Sequence, residues 1–326
     1  MRKTPQTENR EDAMNTPDIL MMGAYPQWDM EDLEQRYRLF KVWEAGDRDA
    51  LIASAACSVR AIATRGELGA SADLMAKLPN LEIVSCYGVG TDAIDLAYAK
   101  SRGIRVTNTP DVLTGDVADI AIGLSLAICR QIREAHDYVL SGQWAKANMG
   151  LVTRFFGKKI GIAGMGRVGA ATAKRAAGFD CEIRYFDTQA RDDLPWDFEP
   201  DLKALAAWAD VLIVTIAGGP STYGIINADV LTALGPDGYL VNVSRGTTVD
   251  EPALLAALEH KVIKGAALDV FLNEPRIDPR FLALPNVLLQ PHHASGTVET
   301  RKAMGQLVRD NLAAHFAGKP LITPVA

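Results

Sequence analysis

Long apolar runs are what this sequence most plainly lacks. None reaches the ~18–20 residues a bilayer-spanning helix needs, so a membrane partner is not expected. An excess of positive charge is also missing: 40 Asp and Glu outnumber 34 Lys and Arg, for a formal charge of −6. That balance argues against nucleic acid or an anionic membrane as the main partner. Cysteine is scarce. Cys57, Cys86, Cys129 and Cys181 form no C-x-x-C pair and have apolar neighbours. They read as buried, reduced thiols of a cytoplasmic protein. No His, Cys, Asp and Glu grouping has metal-ligand spacing, so no metal is expected. Residues 1–17 are polar and charged and lack the apolar segment of a secretory signal. They are expected to form a disordered tail.

What is present is enough material for two cores. The chain has 326 residues, 48% apolar and 23% charged, an ordinary globular balance. From Asp18 onward, β-rich apolar runs alternate with helical spacing. Strands are expected at Asp18-Ile-Leu-Met-Met-Gly-Ala-Tyr, Ser58–Thr64, Leu81–Cys86 and Ile104–Asn108, with helices over Asp29–Trp43, Ser71–Leu78 and Asp95–Ser101. Asn108-Thr-Pro-Asp breaks the pattern. Gly115–Arg133 then reads as one long helix, apolar nearly all round, suited to a domain junction or a subunit interface. A second series starts at Lys159, with strands at Lys159–Ala163, Cys181–Phe186, Val211–Ile216, Gly238–Asn242, Gly265–Asp269 and Val287–Leu289. A closing helix at Thr297–Phe316 should run back to the first domain. Strand–helix alternation of this kind makes parallel sheets covered on both faces. The expected fold is therefore α/β, with two Rossmann-like doubly wound domains and a cleft between them. Residues 18–112 with 298–326 would form the substrate-binding (catalytic) domain, and 113–297 the dinucleotide-binding domain.

The second series opens on a glycine loop. Gly164-Met165-Gly166-Arg167-Val168-Gly169 carries G-x-G-x-x-G between an expected strand and an expected helix. Gly164 permits the tight turn, Gly166 leaves room for a pyrophosphate, and Gly169 lets helix and strand pack closely. The helix N-terminus offers amides and the positive end of its dipole to that phosphate. Arg167 faces the pyrophosphate or solvent. Asp187, 18 residues after Gly169, ends the next strand. A carboxylate there accepts bonds from ribose hydroxyls and repels a 2′-phosphate, favouring NAD(H). Arg191, four residues on, reaches toward such a phosphate and leaves NADP(H) open.

Three further segments lie at strand ends: Val241-Asn-Val-Ser-Arg-Gly-Thr-Thr, Ala267-Leu-Asp-Val-Phe-Leu-Asn-Glu-Pro, and Gln290-Pro-His-His-Ala-Ser-Gly-Thr. Ligands bind at that edge of an open parallel sheet, so Arg245, Asp269, Glu274 and His292 should converge. Their chemistry suits reduction of a 2-keto acid. A guanidinium grips a carboxylate through a paired fork and polarises the adjacent carbonyl. A protonated imidazole neutralises charge developing on the carbonyl oxygen. A carboxylate on the other ring nitrogen raises the imidazole's basicity and fixes its orientation. Arg245 is therefore assigned to substrate binding and polarisation, His292 to acid–base work, and Glu274 to tuning His292.

These segments resemble the D-isomer-specific 2-hydroxyacid dehydrogenase family. The resemblance rests on N-V-S-R-G with Arg245, A-L-D-V-F-x-x-E-P with Asp269 and Glu274, and P-H-x-x-S-x-T with His292. It extends from about Asp18, since Tyr87-Gly-Val-Gly-Thr-Asp and Arg105-Val-Thr-Asn-Thr-Pro-Asp-Val-Leu-Thr look like the family's substrate loop and domain crossing. The C-terminal stretches from Gly296 and from Asn311 are most similar to hydroxypyruvate/glyoxylate and hydroxyphenylpyruvate reductases. The resemblance implies NAD(P)H-dependent reduction of a small 2-keto acid to the D-2-hydroxy acid. It implies that the amides of Val89 and Gly90 hold the substrate carboxylate beside Arg245. It places Asp269 on the nicotinamide carboxamide and Ile216 and Val243 along the nicotinamide half, with Ser244 and Ser295 among the cofactor contacts. A homodimer, joined through the long helix and an arm including Trp144, is implied as well; Trp144 otherwise reads as a packing residue.

Two departures stand out. Those reductases often carry a short hydroxyl residue and then Arg at the strand end and use NADPH, whereas this strand ends Phe186-Asp-Thr-Gln. His293 and Ala294 replace the more usual apolar residue and glycine, and His293 lines the pocket or fills space. His136, His260 and His315 read as solvated. Among alternatives, formate dehydrogenases tend to carry Gln where Glu274 stands, and an NAD-dependent co-repressor would want long disordered flanks. Many phosphoglycerate dehydrogenases add a C-terminal regulatory domain.

Overall fold

The computed structural model describes residues 16–325, so the expected tail lies outside the described residues except for Thr16 and Pro17. The chain divides into two compact units, one ending at Leu113 and resuming at Thr297, the other spanning Thr114–Gly296.

The first unit begins β1 (Asp18–Met21), α1 (Gln27–Arg36), β2 (Arg38–Lys41), α2 (Arg48–Ala55) and β3 (Val59–Arg65). It continues α3 (Ala72–Ala76), β4 (Ile83–Tyr87), α4 (Leu96–Ser101) and β5 (Arg105–Thr107). The sheet order is β2-β1-β3-β4-β5 and every pairing is parallel, one of the two common doubly wound orders. Side chains such as Ile19, Leu20, Ile62 and Ile83 have no exposed surface, as expected of strands covered on both faces. Asp47, Ser71 and Asp95 each accept a first-turn amide of α2, α3 and α4, contacts worth about 1 kcal/mol apiece.

Two elements here differ from the sequence reading. The helix expected over Asp29–Trp43 stops at Arg36, and Arg38–Lys41 pairs with β1 instead. Tyr37, Leu39 and Phe40 are β-formers that a helical count absorbed because their spacing fits either period. The helix α2, capped by Asp47, was not expected at all. Cys57, expected buried, is exposed, because it sits in the turn between α2 and β3.

The second unit opens with α5 (Thr114–Arg130) and α6 (Ile132–Leu140). The single long helix expected over Gly115–Arg133 is thus broken at Gln131, whose backbone is left-handed at φ 49°. The α5 helix packs on the sheet, burying Val117, Ala121, Leu124 and Ile128. Then follow β6 (Lys159–Ala163), α7 (Arg167–Ala177), β7 (Glu182–Phe186), β8 (Asp197–Phe198) and α8 (Leu202–Trp208). The series ends β9 (Val211–Val214), α9 (Ala228–Leu234), β10 (Tyr239–Asn242), α10 (Glu251–Glu259), β11 (Gly265–Leu268) and β12 (Val287–Leu289). The order is β12-β11-β10-β9-β6-β7-β8, parallel throughout. This is the dinucleotide-binding order with one strand added beyond β11, and the order in which strands are laid down reverses between β6 and β9, where such folds bind ligands. The two-residue edge strand β8 was not expected; Asp197-Phe198 is too short to show a period.

After Gly296 the chain returns to the first unit as α11 (Val298–Phe316), capped by Thr297 and packed on β4 and α1. His315, expected solvated, is largely buried there, with Nε2 2.9 Å from Glu82 Oε2. Glu82 also takes a two-bond fork from Arg60, so His315 pairs with a carboxylate from another element. His136 and His260 are exposed. Among the described residues no helix is long and apolar enough to cross a membrane.

Candidate active site

Parallel strands place all their carboxyl ends on one edge. In the second unit β6, β7, β9, β10, β11 and β12 therefore deliver Gly164, Asp187, Ile216, Val243–Arg245, Asp269 and His292 to that edge.

The glycine loop has the geometry of a phosphate cradle. Gly164 has φ +98°, and a Cβ there would lie 2.7 Å from the Ile216 amide nitrogen. A Cβ on Gly169 would come within 2.0 Å of the Gly164 carbonyl oxygen. Around Gly166, in contrast, a Cβ would meet nothing within 4 Å. So two glycines close the turn and the middle one leaves the backbone approachable, which is the arrangement a pyrophosphate requires. Gly166 caps α7 without any side-chain bond, so the start of that helix has amides and dipole to offer an anion. Met165 is buried, Val168 half-buried and Arg167 exposed. Thr215, which sequence reasoning missed, donates to the Gly164 carbonyl at 2.6 Å and ties the loop to β9.

Asp187 is half-buried at the end of β7. Its Oδ2 accepts the Met165 amide at 2.7 Å and its Oδ1 the Thr188 amide at 2.7 Å. The Arg191 guanidinium donates to the Met165 carbonyl at 3.1 Å and forks onto Asp193 at 3.0 and 2.5 Å. The residues present therefore fit a nicotinamide dinucleotide: an open cradle, a helix start with no side-chain cap and an acid at the ribose position.

Arg245 is held from its backbone. The Arg245 carbonyl accepts from Asn242 Nδ2 (3.0 Å) and Thr248 Oγ1 (2.7 Å), while Asn242 Oδ1 takes the amide and hydroxyl of Ser244. Asn242, Ser244 and Thr248 are all buried. One Arg245 nitrogen donates to the Ser244 carbonyl at 2.7 Å. Next in sequence, Gly246 presses on another loop: a Cβ there would lie 1.9 Å from the Phe271 carbonyl carbon. That contact brings the loop of Arg245 against the loop of Glu274. Neither the buried network nor the backbone contact was identified from sequence, although a polar Asn at a buried strand end is a visible signal.

Glu274 divides its oxygens. Oε1 accepts the Phe271 amide at 2.8 Å, and Oε2 lies 2.6 Å from His292 Nδ1. Burial pushes the Glu274 carboxyl up. The bond and charge of His292, the Phe271 amide and the Arg245 charge together outweigh it and hold the group below the usual carboxylate value. An ionised carboxylate only accepts, so Nδ1 carries a proton toward Glu274 and Nε2 is left for chemistry.

His292 has a left-handed backbone, φ +50°, uncommon for a residue with a side chain. Asp269 holds it there. Its carbonyl accepts the His292 amide at 2.8 Å, and its carboxylate oxygens accept the amides of His293 (2.7 Å) and Ala294 (3.0 Å). Asp269 is 1% exposed, and burial raises its pKa against the pull of those two amides. The anchoring of the His292 loop is a role that sequence reasoning did not give Asp269. Ser295 is half-buried. The His293 ring lies across Gly296, within 2.2 Å of where a Cβ would be, so it occupies space over the loop. Ile216 and Val243 are buried beside the glycine loop and the Arg245 turn.

Val89 and Gly90 belong to the first unit. The Gly88 carbonyl accepts the Thr109 amide (2.9 Å) and the Val89 carbonyl accepts Asn108 Nδ2 (2.8 Å). A trans peptide places N–H opposite C=O, so the amides of Val89 and Gly90 point away from those partners. Trp144 is 65% exposed.

A family model for the D-isomer specific 2-hydroxyacid dehydrogenase NAD binding domain matches residues 122–294. The chain is 46% identical to a hydroxyphenylpyruvate reductase of Plectranthus scutellarioides, over 94% of this chain and 98% of that one. A solved 2-hydroxyacid dehydrogenase from Ketogulonicigenium vulgare is 53% identical with TM-score 0.90, covering 96% of this chain and 99% of its own. An NADPH-dependent glyoxylate/hydroxypyruvate reductase from Sinorhizobium meliloti, solved with NADP and malonate, is 43% identical with TM-score 0.89, covering 95% and 97%.

Proposed function

Since the chain belongs to the D-isomer specific 2-hydroxyacid dehydrogenase family and is an oxidoreductase, we propose that it reduces a small 2-keto acid to the D-2-hydroxy acid. Glyoxylate, hydroxypyruvate and arylpyruvates are the substrates considered. The observation that carries the reading is the 2.6 Å contact of Glu274 with His292 Nδ1, on the sheet edge that also holds Arg245. When bound, the nicotinamide supplies the hydride. Arg245 grips the substrate carboxylate and draws charge onto the carbonyl oxygen. His292, oriented by Glu274, delivers the proton to that oxygen from Nε2. The amides of Val89 and Gly90 bind the carboxylate. Asp269, Ile216, Val243, Ser244 and Ser295 serve the nicotinamide half, and Met165–Gly169 the pyrophosphate.

Asp187 supports NAD(H) as the preferred cofactor: the negative 2′-phosphate of NADP(H) would be repelled by its carboxylate. NADP(H) is the second reading, favoured by Arg191 lying on the same loop.

The chain is proposed to act as a homodimer. Ile132, Val139 and Leu140 on α6 and Trp144 in the turn after it are each more than half exposed, and a lone subunit rarely leaves large apolar side chains so close along one segment in water. A cytoplasmic setting is proposed from the four cysteines, all of them free thiols. Initial rates over a panel of 2-keto acids, with NADH and NADPH and chiral analysis of the product, test the reading. D-hydroxy acid is expected, and failure to turn over any 2-keto acid overturns it.

A further inference from the structure

Arg191 is a basic group tied to the glycine loop through the Met165 carbonyl, and its surroundings bear on cofactor choice. Three anchors hold it. Its amide donates to the buried Tyr185 hydroxyl at 2.7 Å, one guanidinium nitrogen donates to the Met165 carbonyl at 3.1 Å, and two others fork onto Asp193. Met165 is thus bound on both sides, its amide by Asp187 and its carbonyl by Arg191. The loop brings Asp187, Arg191 and Asp193 together, two carboxylates to one guanidinium.

We propose that Asp193 is a second determinant of cofactor selectivity, a positioning residue that holds the Arg191 guanidinium and keeps it from a 2′-phosphate. The inference rests on the nicotinamide-dependent reading above and goes beyond it. Asp187 opposes the phosphate through its own charge. Asp193 acts through Arg191, because the fork that would suit two oxygens of a phosphate is already filled by the two oxygens of a carboxylate. A chain with Asp187 removed but Asp193 kept would then gain only part of the affinity for NADPH that the arginine can provide.

The pair is exposed, with 39% and 64% of the two side chains accessible, so its effect is modest and salt-sensitive. Equilibrium binding of NADPH and NADH, read by fluorescence titration, tests it in the intact protein. Asp193→Asn should lower the ratio of the NADPH to the NADH dissociation constant about two- to fivefold, the range of an exposed ion pair. In the Arg191→Ala background the same Asp193→Asn change should leave the ratio unaltered. Combined with Asp187→Ser, Asp193→Asn should shift the ratio further toward NADPH than Asp187→Ser alone. No shift in Asp193→Asn, or a shift of equal size without Arg191, overturns the proposal. Failure of the unaltered protein to bind either nucleotide would instead overturn the dinucleotide reading on which it stands.

Discussion

Replacing Gly246 by alanine should separate the two loops that carry Arg245 and Glu274. The added methyl carbon would lie 1.9 Å from the Phe271 carbonyl carbon, 2.0 Å from its oxygen and 2.4 Å from the Leu272 nitrogen. Carbon–carbon contact becomes comfortable only near 3.5 Å, so the backbones must part by roughly 1.5 Å. No flexible side chain can absorb this, because all three atoms belong to the main chain. Overpacking of this kind costs about 1–3 kcal/mol, a fall in melting temperature on the order of 5 °C for a unit this size. The larger effect should be on turnover. A displacement near 1 Å in a catalytic arrangement costs on the order of 10²-fold, and here Arg245 moves relative to Glu274 and His292. Steady-state kinetics at saturating cofactor, beside a melting curve, would measure both. Gly46→Ala is the control, since a Cβ there meets nothing within 4 Å. Wild-type turnover and stability in Gly246→Ala would refute the idea that this contact aligns the site.

Other outcomes follow from the same structure. Asp187→Ser should raise the NADPH-to-NADH ratio of kcat/KM about 10- to 100-fold, the worth of a bond to a charged group; an unaltered protein already favouring NADPH tenfold would contradict the role given to Asp187. Glu274 has a folded-state pKa below the usual 4.5, so the stability it contributes is present above that value and is lost as pH falls through the lower folded one. Melting curves from pH 3 to 7 should accordingly show a smaller acid-side loss in Glu274→Gln than in the unaltered protein, and identical slopes would count against the pairing. Cys129, its thiol pushed up by burial to about 12, should resist alkylation at pH 8 in the native protein while exposed Cys57 reacts, as mapped by mass spectrometry; rapid labelling of Cys129 would contradict its burial.

The parts legible in sequence were those with a strong local signal. Gly164 and Gly169 announce a loop because only glycine suits a positive φ or a 2.0 Å approach, and Gly166 between them leaves the backbone open. The strands β6, β9, β10 and β11 are short apolar runs with clear ends. The residues Arg245, Glu274 and His292 were visible because each follows such a run. What stayed hidden depends on partners distant in sequence. Arg38–Lys41 becomes a strand because β1 offers it an edge, and Gln131 breaks a helix through a left-handed backbone that no glycine or proline marks. From its own helix His315 reads as solvated, whereas Glu82, 233 residues away, lies against its ring. Asp269 read as a cofactor ligand, and nothing local indicates that its two oxygens hold the amides of His293 and Ala294.

The measurement that bears most directly on the central claim is the rate of NADH oxidation with a 2-keto acid by the His292→Ala protein, with NADH affinity determined alongside. Loss of the proton donor should lower kcat by ~10²–10⁴ while the NADH dissociation constant stays within about twofold, because the glycine loop and Asp187 lie apart from the imidazole on the strand edge. Undiminished turnover in His292→Ala would contradict the account.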